Sequence, residues 1–224
     1  MLIAMTNRSK QNNDRAKDVV AIPLERSLVV DAGFLGSQRH VIYGLVDADV
    51  SKPRQIRKDK FADEISFTAY LIACLARAVA ADPSVQAYAF GKKYVTFHDV
   101  DVATMIEPTE GAVAIPHVIR TANKKSVREI SDEIRGVKRD PDASPQYSSR
   151  LVKLAPKLPR WVRMLGFRAM RRNPDELREK IGTVVLTSVG MFGGGGGYGI
   201  TYMPMHTLGM WRILSMCVSF RIGS

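Results

Sequence analysis

The sequence predicts an α/β protein of two layers, a mixed sheet with helices on one face. Three observations carry this reading. β-branched runs and runs of helical period alternate along the chain, yet without the strict strand–helix–strand regularity that an all-parallel sheet requires. With 224 residues, 46% of them hydrophobic, the chain can bury a substantial core. No internal repeat of fixed period is visible, which sets aside solenoids and propellers.

Residues 1–21 are polar and rich in Asn, Lys and Asp, and read as a flexible arm, with one domain over 22–224 whose order begins near Ile22-Pro23-Leu24. From Arg39 to Val50 the run RHVIYGLVDADV reads as a strand, apolar on both faces for much of its length. A basic loop, SKPRQIRKDK, is expected next. Phe67, Tyr70, Leu71, Cys74, Leu75, Ala78 and Val79 then recur at helical spacing, with Ser66 as N-cap and Pro83 just past the end. Apolar runs on either side of Gly91-Lys92-Lys93 predict a strand, a tight turn and a longer strand alternating Val100, Val102, Thr104 and Ile106. A turn at Glu110-Gly111 leads to a short strand in AVAIPHVI. Ser126-Val127-Arg128-Glu129 has the form of a capping box, and Val127, Ile130, Ile134 and Val137 continue it as an amphipathic helix to about Arg139, broken by DPDASPQYSSR. Pro159 suits the first turn of a helix running to Arg172, with an apolar face of Trp161, Leu165, Phe167 and Met170 beside a cationic one. GTVVLTSVG reads as a buried strand, and MFGGGGGYG as a turn or loop.

Composition narrows the function. Lys and Arg number 33 against 22 Asp and Glu, a formal net charge of +11. Such a field attracts phosphates, anionic lipid or acidic proteins, although excess cations also serve plain solubility. Cys74 and Cys217 each sit in an apolar stretch, which suggests buried free thiols and neither a disulfide framework nor a zinc site. No run of about 18 uncharged apolar residues occurs and residues 1–20 lack the apolar centre of a secretory signal, so a cytoplasmic location is the expectation. Gly194, Gly196 and Gly199 satisfy Gly-x-Gly-x-x-Gly trivially within five consecutive glycines, and ITYMPMHTLG after them contains Pro204 and does not open as a helix. A dinucleotide fold is therefore disfavoured. Neither a Gly-Lys-Ser/Thr phosphate loop nor a Gly-x-Ser-x-Gly elbow is present.

Three blocks in order carry a resemblance: ISFTAYLIACLARAVAADPSVQAY at 65–88, DVDVATMIEPTEGAVAIPHVIRTANKKSVREISDEI at 99–134, and GTVVLTSVGMFGGGGGYG at 182–199. Together with RHVIYGLVDADV, they resemble the catalytic domain of the acyltransferases of 2-oxoacid dehydrogenase complexes, over most of residues 22–220. That resemblance implies a chloramphenicol acetyltransferase-like fold, a homotrimer, and acyl transfer between coenzyme A and the thiol of a dihydrolipoyl group. Coenzyme A or acyl-CoA would then be a substrate, with no tightly bound cofactor and no metal. No lipoyl-bearing or subunit-binding domain precedes the blocks, so the chain resembles a stand-alone catalytic domain.

In that family a histidine of a His-x-x-x-Asp-Gly motif takes the thiol proton, and a Ser or Thr hydroxyl steadies the tetrahedral oxyanion across a subunit boundary. Aligning Gly190-Met191-Phe192-Gly193 with the family's Gly-Met-Phe-Gly, expected to line the substrate, puts Thr187 at the hydroxyl position, and Ser188 there if the register slips by one. From pattern alone, a Thr near a strand end reads first as an ordinary strand former. Leu214-Ser215-Met216-Cys217-Val218-Ser219-Phe220 matches the family's final strand, but Arg221-Ile222-Gly223-Ser224 follows where Asp-His is expected, and the preceding hairpin is short. The expectation is a truncated or degenerate copy with impaired acyl transfer. His40, His98, His117 and His206 are the other imidazoles, each read as structural or surface before catalytic, and none has metal-ligand spacing. The alternative to an acyltransferase is a non-catalytic basic module that meets an anionic membrane surface or nucleic acid through 151–180.

Overall fold

The structure, a computed structural model, describes residues 48–61, 64–109, 114–149, 154–170 and 172–187, and Ser27, Val30, Asp31, Gly33 and Phe34. The arm at 1–21, the start of order at Ile22, most of the strand expected from Arg39 to Val50, the turn at Glu110-Gly111, the glycine loop and everything from Ser188 onward lie outside these residues.

The first surprise follows Val50. SKPRQIRKDK is no loop but part of a helix, α1 (Ser51–Phe61). Lys, Arg and Gln are good helix formers, Pro53 is tolerated in the first turn, and Lys58 and Lys60 in the last turn complement the helix dipole. None of its residues is buried, so it has no apolar stripe for a periodicity argument to find. It rests on the next helix through Arg54, whose guanidinium lies 5.0 Å from the Phe67 ring centroid.

Helix α2 (Phe67–Ala81) starts at the predicted N-cap Ser66, although the cap's side chain makes no capping bond; its backbone N–H instead donates to Ser131 Oγ at 2.9 Å. Ala69, Leu71, Ile72, Ala73, Leu75, Ala76 and Val79 are buried. Cys74 is on the other side and exposed, against the buried thiol expected, because the core-facing positions of this largely apolar helix exclude residue 74. Cys217 lies outside the described residues. A 3₁₀ turn (Pro83–Gln86) leads to the hairpin β1 (Tyr88–Phe90) and β2 (Lys93–Val95), turned at Gly91 with φ +59°, a backbone region in which glycine avoids the Cβ penalty.

Among the described residues, three strands form the main sheet in the order β4-β3-β5: β3 (Val102–Ile106), β4 (Ile115–Ile119) antiparallel to it, and β5 (Val184–Leu186) parallel to it. The sheet is therefore mixed, as predicted. Val100, Val102, Thr104 and Ile106 are all buried, the alternation read from the sequence. Helix α3 (Val127–Arg139) begins at the predicted capping box, with Glu129 N–H donating to Ser126 Oγ and Ser126 N–H donating to Glu129 Oε2. Ile130, Ile134 and Val137 turn inward, and α2 and α3 together cover the sheet face carrying Val102, Ile106, Ile119, Val184 and Leu186. Each of those large side chains contributes on the order of 1.5–3 kcal/mol by leaving water.

DPDASPQYSSR does end α3, but it is ordered: a 3₁₀ turn (Pro141–Ala143) and a one-turn helix α4 (Pro145–Ser148) pack beside β4 with Ser144 fully buried. A further 3₁₀ turn spans Ala155–Lys157. Helix α5 (Arg160–Met170) starts after Pro159 as expected but ends before Arg172, and α6 (Pro174–Ile181), which was not foreseen, follows, capped by Asn173. Only part of the expected apolar face of α5 packs: Met164, Phe167 and Met170 join Tyr88, Phe97, Leu177 and Ile181 in a second cluster, whereas Trp161 and Leu165 are exposed.

What fixes β5 against the sheet is a buried carboxylate. Asp101, 1% exposed, immediately precedes β3. Its Oδ2 accepts from Arg120 Nη1 at 3.0 Å and from Arg178 Nε at 2.7 Å, and its Oδ1 accepts from Thr121 N–H at 2.8 Å. Its backbone N–H donates to Thr183 Oγ1 at 3.0 Å, and its carbonyl accepts from Thr183 N–H at 2.7 Å. One residue thus joins the ends of β4, α6 and β5. Arg120 also donates to the carbonyls of Arg178 and Glu179, and Arg178 stacks 4.7 Å from the Phe97 ring centroid. Thr121, at φ 47°, is held in a region that costs a β-branched residue strain, and the bond to Asp101 helps to keep it there.

Gly182 makes the junction possible. It has φ +78°, its carbonyl accepts from the buried Tyr88 hydroxyl at 2.7 Å, and a Cβ on it would lie 2.7 Å from the Asp101 carbonyl oxygen and 3.2 Å from Ala103 N. Burial pushes the Tyr88 phenol well above its ordinary pKa, reinforced by the negative Asp101, so the phenol remains a donor at neutral pH. Gly182→Ala is expected to destabilise the protein by about 1–3 kcal/mol from backbone strain, with the clash against Asp101 adding to it. Urea unfolding checks this, and an unchanged midpoint would contradict it.

Candidate functional site

Thr187 is the first residue after β5 and is half-buried. β5 runs parallel to β3 in the register Val102↔Val184, Ala103↔Val185, Thr104↔Leu186, so Thr187 comes at the end of the sheet where β3 finishes and β4 begins. Leu186 faces α2 and α3. Continuing the strand alternation by one residue assigns Thr187 to the opposite face, with Ala103 and Met105. The buried run Thr183 to Leu186, anchored at Asp101, thus delivers a hydroxyl residue to the end of the sheet on a rigid support. Ser188, the second choice for the hydroxyl, and Gly190, Met191, Phe192 and Gly193 lie outside the described residues.

Two of the four histidines can be compared with that position. His98 is exposed on a bend before β3, at the other end of the sheet from Thr187. His117 lies in β4 opposite Thr104, on the face turned to α3 and not the one assigned to Thr187. It is 5% exposed and fully engaged: Nε2 is 3.0 Å from Glu133 Oε1 and Nδ1 is 3.3 Å from Ser144 Oγ. Ser144 Oγ also donates to the Pro116 carbonyl at 2.8 Å, and Lys125 Nζ lies 2.6 Å from the second Glu133 oxygen. Ser, His and Glu in contact suggest a nucleophile, its base and an orienting acid. Here the serine is wholly buried and no substrate could reach it, so the trio instead pins α3 and the turn before α4 to the back of β4. His40 and His206 lie outside the described residues. Among the described residues no three of His, Cys, Asp or Glu gather to hold a metal ion.

The sequence reading missed Asp101, Arg120, Arg178 and Ser144. A signal existed for Asp101, an acid between two valines in a strand-like run, which demands a buried partner. Nothing local indicated that the partners would be Arg120 and Arg178.

Glu133 gives the buried trio a pH signature. Burial raises its pKa, but the hydrogen bonds from His117 and Lys125 and the Lys125 charge outweigh it, so the carboxyl titrates below the usual glutamate value. A depressed folded-state pKa contributes stability above the unfolded value of about 4.3 and loses it as pH falls through the folded value. Glu133→Gln should therefore cost about 1–3 kcal/mol near pH 7 and flatten the fall in stability between pH 5 and the acid limb. Urea midpoints across that range check it; an equally steep fall in the variant would contradict it.

Comparison with known proteins agrees with this fold. The family model for the 2-oxoacid dehydrogenases acyltransferase (catalytic domain) matches residues 15–143, taking in the first two sequence blocks. No curated protein matches the sequence. The fold resembles a probable dihydrolipoamide acetyltransferase from Listeria monocytogenes 4b F2365, with TM-score 0.56, 18% identity, 85% of this chain and 71% of that one covered. It also resembles a truncated catalytic core of the 2-oxoacid dehydrogenase multienzyme complex from Thermoplasma acidophilum, with TM-score 0.54, 18% identity, and 84% and 76% covered. A third likeness is to the cubic core of the pyruvate dehydrogenase multienzyme complex, with TM-score 0.55, 14% identity, and 89% and 74% covered. On the family match, and with the fold in agreement, this chain belongs to the family of 2-oxoacid dehydrogenase acyltransferase catalytic domains.

Proposed function

We propose that the chain takes part in transfer of an acyl group between coenzyme A and the thiol of a dihydrolipoyl group, with Thr187 supplying the oxyanion-stabilising hydroxyl. The observation that carries this reading is the position of Thr187: half-buried at the end of β5, on a support locked by Asp101. Such rigidity matters because a hydrogen-bond donor helps the transition state most when it need not reorganise as charge develops on the thioester oxygen. Gly190, Met191, Phe192 and Gly193 would border the substrate, and Ser188 is the alternative donor. The excess of cationic residues favours a substrate that carries phosphates, as coenzyme A does. Acyl-CoA is then a substrate of the domain and not a resident cofactor.

The reaction also needs a base for the attacking thiol, whose unperturbed pKa is about 8.5. Residues 1–224 contain no His-x-x-x-Asp-Gly, His98 is at the wrong end of the sheet, and His117 is engaged on the other face. We therefore assign to residues 1–224 the hydroxyl half of a site that lies between neighbouring subunits of a homotrimer in the cytoplasm, and the base to neither of their described histidines. Acyl transfer by residues 1–224 alone is then impaired by about 10²–10⁴-fold, the typical contribution of general acid–base catalysis.

The test is acetyl transfer from acetyl-CoA to dihydrolipoamide by the 224-residue polypeptide, with coenzyme A binding followed by calorimetry. A slow residual rate is expected, falling about 10²–10³-fold further in Thr187→Ala and largely retained in Thr187→Ser, with binding intact in both. A residual rate indifferent to Thr187→Ala would sink the assignment of the hydroxyl. Full turnover by the unaltered polypeptide would sink the assignment of a missing base.

A further inference from the structure

Between Asp142 and Asp175 the chain carries eight basic residues, Arg150, Lys153, Lys157, Arg160, Arg163, Arg168, Arg171 and Arg172, and no acidic one. That stretch alone accounts for most of the net charge of +11. Helix α5 sits within it, and its two faces differ in what they touch. Inward, Phe167 and Met170 pack near Tyr88 and Leu177, and Arg163 Nε reaches the buried Asp31 carboxylate at 2.7 Å. Outward, Trp161 and Leu165 are 71% and 61% exposed, and Leu154 just before the helix is 49% exposed. Trp161, Leu165 and Arg168 stand at i, i+4 and i+7, one stripe along the solvent side, with Arg172 exposed one turn beyond Arg168.

We infer that this outer face of α5 docks the protein onto an anionic lipid surface. Large apolar side chains on the outer side of a helix whose own stretch of chain supplies cations and no acid describe a helix lying in a membrane interface, where Trp and Leu enter the headgroup boundary and Arg meets lipid phosphate. Charge selects among occupants. A second copy meeting this face through the same helix would bring its own cationic stretch against it, which repels. Nucleic acid would satisfy the arginines but leave Leu154 and Leu165 without an apolar partner. No helix among the described residues is long and apolar enough to cross a membrane, so the contact is peripheral. Asp31 holds the helix for this role: Arg160 and Arg163 both pair with it, at 3.0 and 2.7 Å, which fixes the rotation that turns Trp161 outward. The inference stands apart from the acyl-transfer reading and does not need it.

Flotation of the full chain with phosphatidylcholine vesicles, with and without phosphatidylserine, tests it. Binding is expected only with phosphatidylserine and should weaken steeply with salt. The double variant Trp161→Ser with Leu165→Ser should bind about tenfold more weakly or worse, as loss of two inserted apolar side chains requires, and Arg168→Gln with Arg172→Gln should lower binding to the anionic vesicles. Because Trp161 and Leu165 are exposed, the double variant should melt like the parent and keep its acetyl-transfer rate. Equal binding to both vesicle types, no binding, or wild-type binding by the double variant overturns the inference. So does a Trp161-dependent dimer, a duplex oligonucleotide that binds through the same residues, or a fall in melting temperature that shows Trp161 to be packed internally.

Discussion

The buried carboxylate of Asp101 is the constraint on which the rest of the arrangement depends. Removing a carboxylate from water is costly, and the cost is offset only when its oxygens are filled by charged or backbone donors. Asp101 fills them with Arg120, Arg178 and the Thr121 amide, drawn from the end of β4, from α6 and from the turn that follows β4. Removing one partner of such a set would strand charge in the interior. The pairing therefore dictates where α6 ends, where β5 begins and how close Gly182 must come to the β3 backbone. Among the described residues β5 pairs with the sheet over only three positions of β3, a hold that would otherwise be weak.

The sequence disclosed those elements whose apolar residues recur with a regular period. Ile130, Ile134 and Val137 announce α3, and Ser126 with Glu129 marks its start because two orphan backbone donors there need two side-chain acceptors. The buried positions of β3 were legible for the same reason. Helix α1 was not, because a helix that buries nothing leaves no periodic trace and its basic residues read equally well as loop. α6 lay hidden in a basic block, although Asn173, Pro174, Asp175 and Glu176 are the side chains that favour a helix start. In α5 the apolar residues were visible but their division was not: that Phe167 packs while Trp161 does not depends on Asp31, about 130 positions away in the chain. Of the proposed site, Thr187 comes from the resemblance of Gly190-Met191-Phe192-Gly193 to the family's Gly-Met-Phe-Gly, whereas the anchor of β5 at Asp101 depends on Arg120 and Arg178, which no local pattern links.

The domain thus joins two surfaces of different character. One is the proposed hydroxyl position at Thr187, at the end of β5 and backed by neutralised charge, suited to a single hydrogen bond that must be in place before the reaction starts. The other is the outer side of α5, cationic and apolar together, where no such exactness is needed and area and charge decide. Both are stabilised by the same device, a buried aspartate shared by two arginines: Asp101 for the sheet and Asp31 for the helix. His117, Glu133 and Ser144, which resemble a catalytic trio when viewed as residue types, belong to the scaffold because the burial of His117 and Ser144 denies them a substrate.

The most direct measurement is amide hydrogen exchange in Asp101→Asn, which keeps the shape of the side chain but removes its charge. If Asp101 is what holds β5, protection of Val184, Val185 and Leu186 should collapse while the amides of α2 and α3 exchange as slowly as before. Protection of β5 that survives the substitution, or a loss spread evenly over the whole domain, would contradict the account.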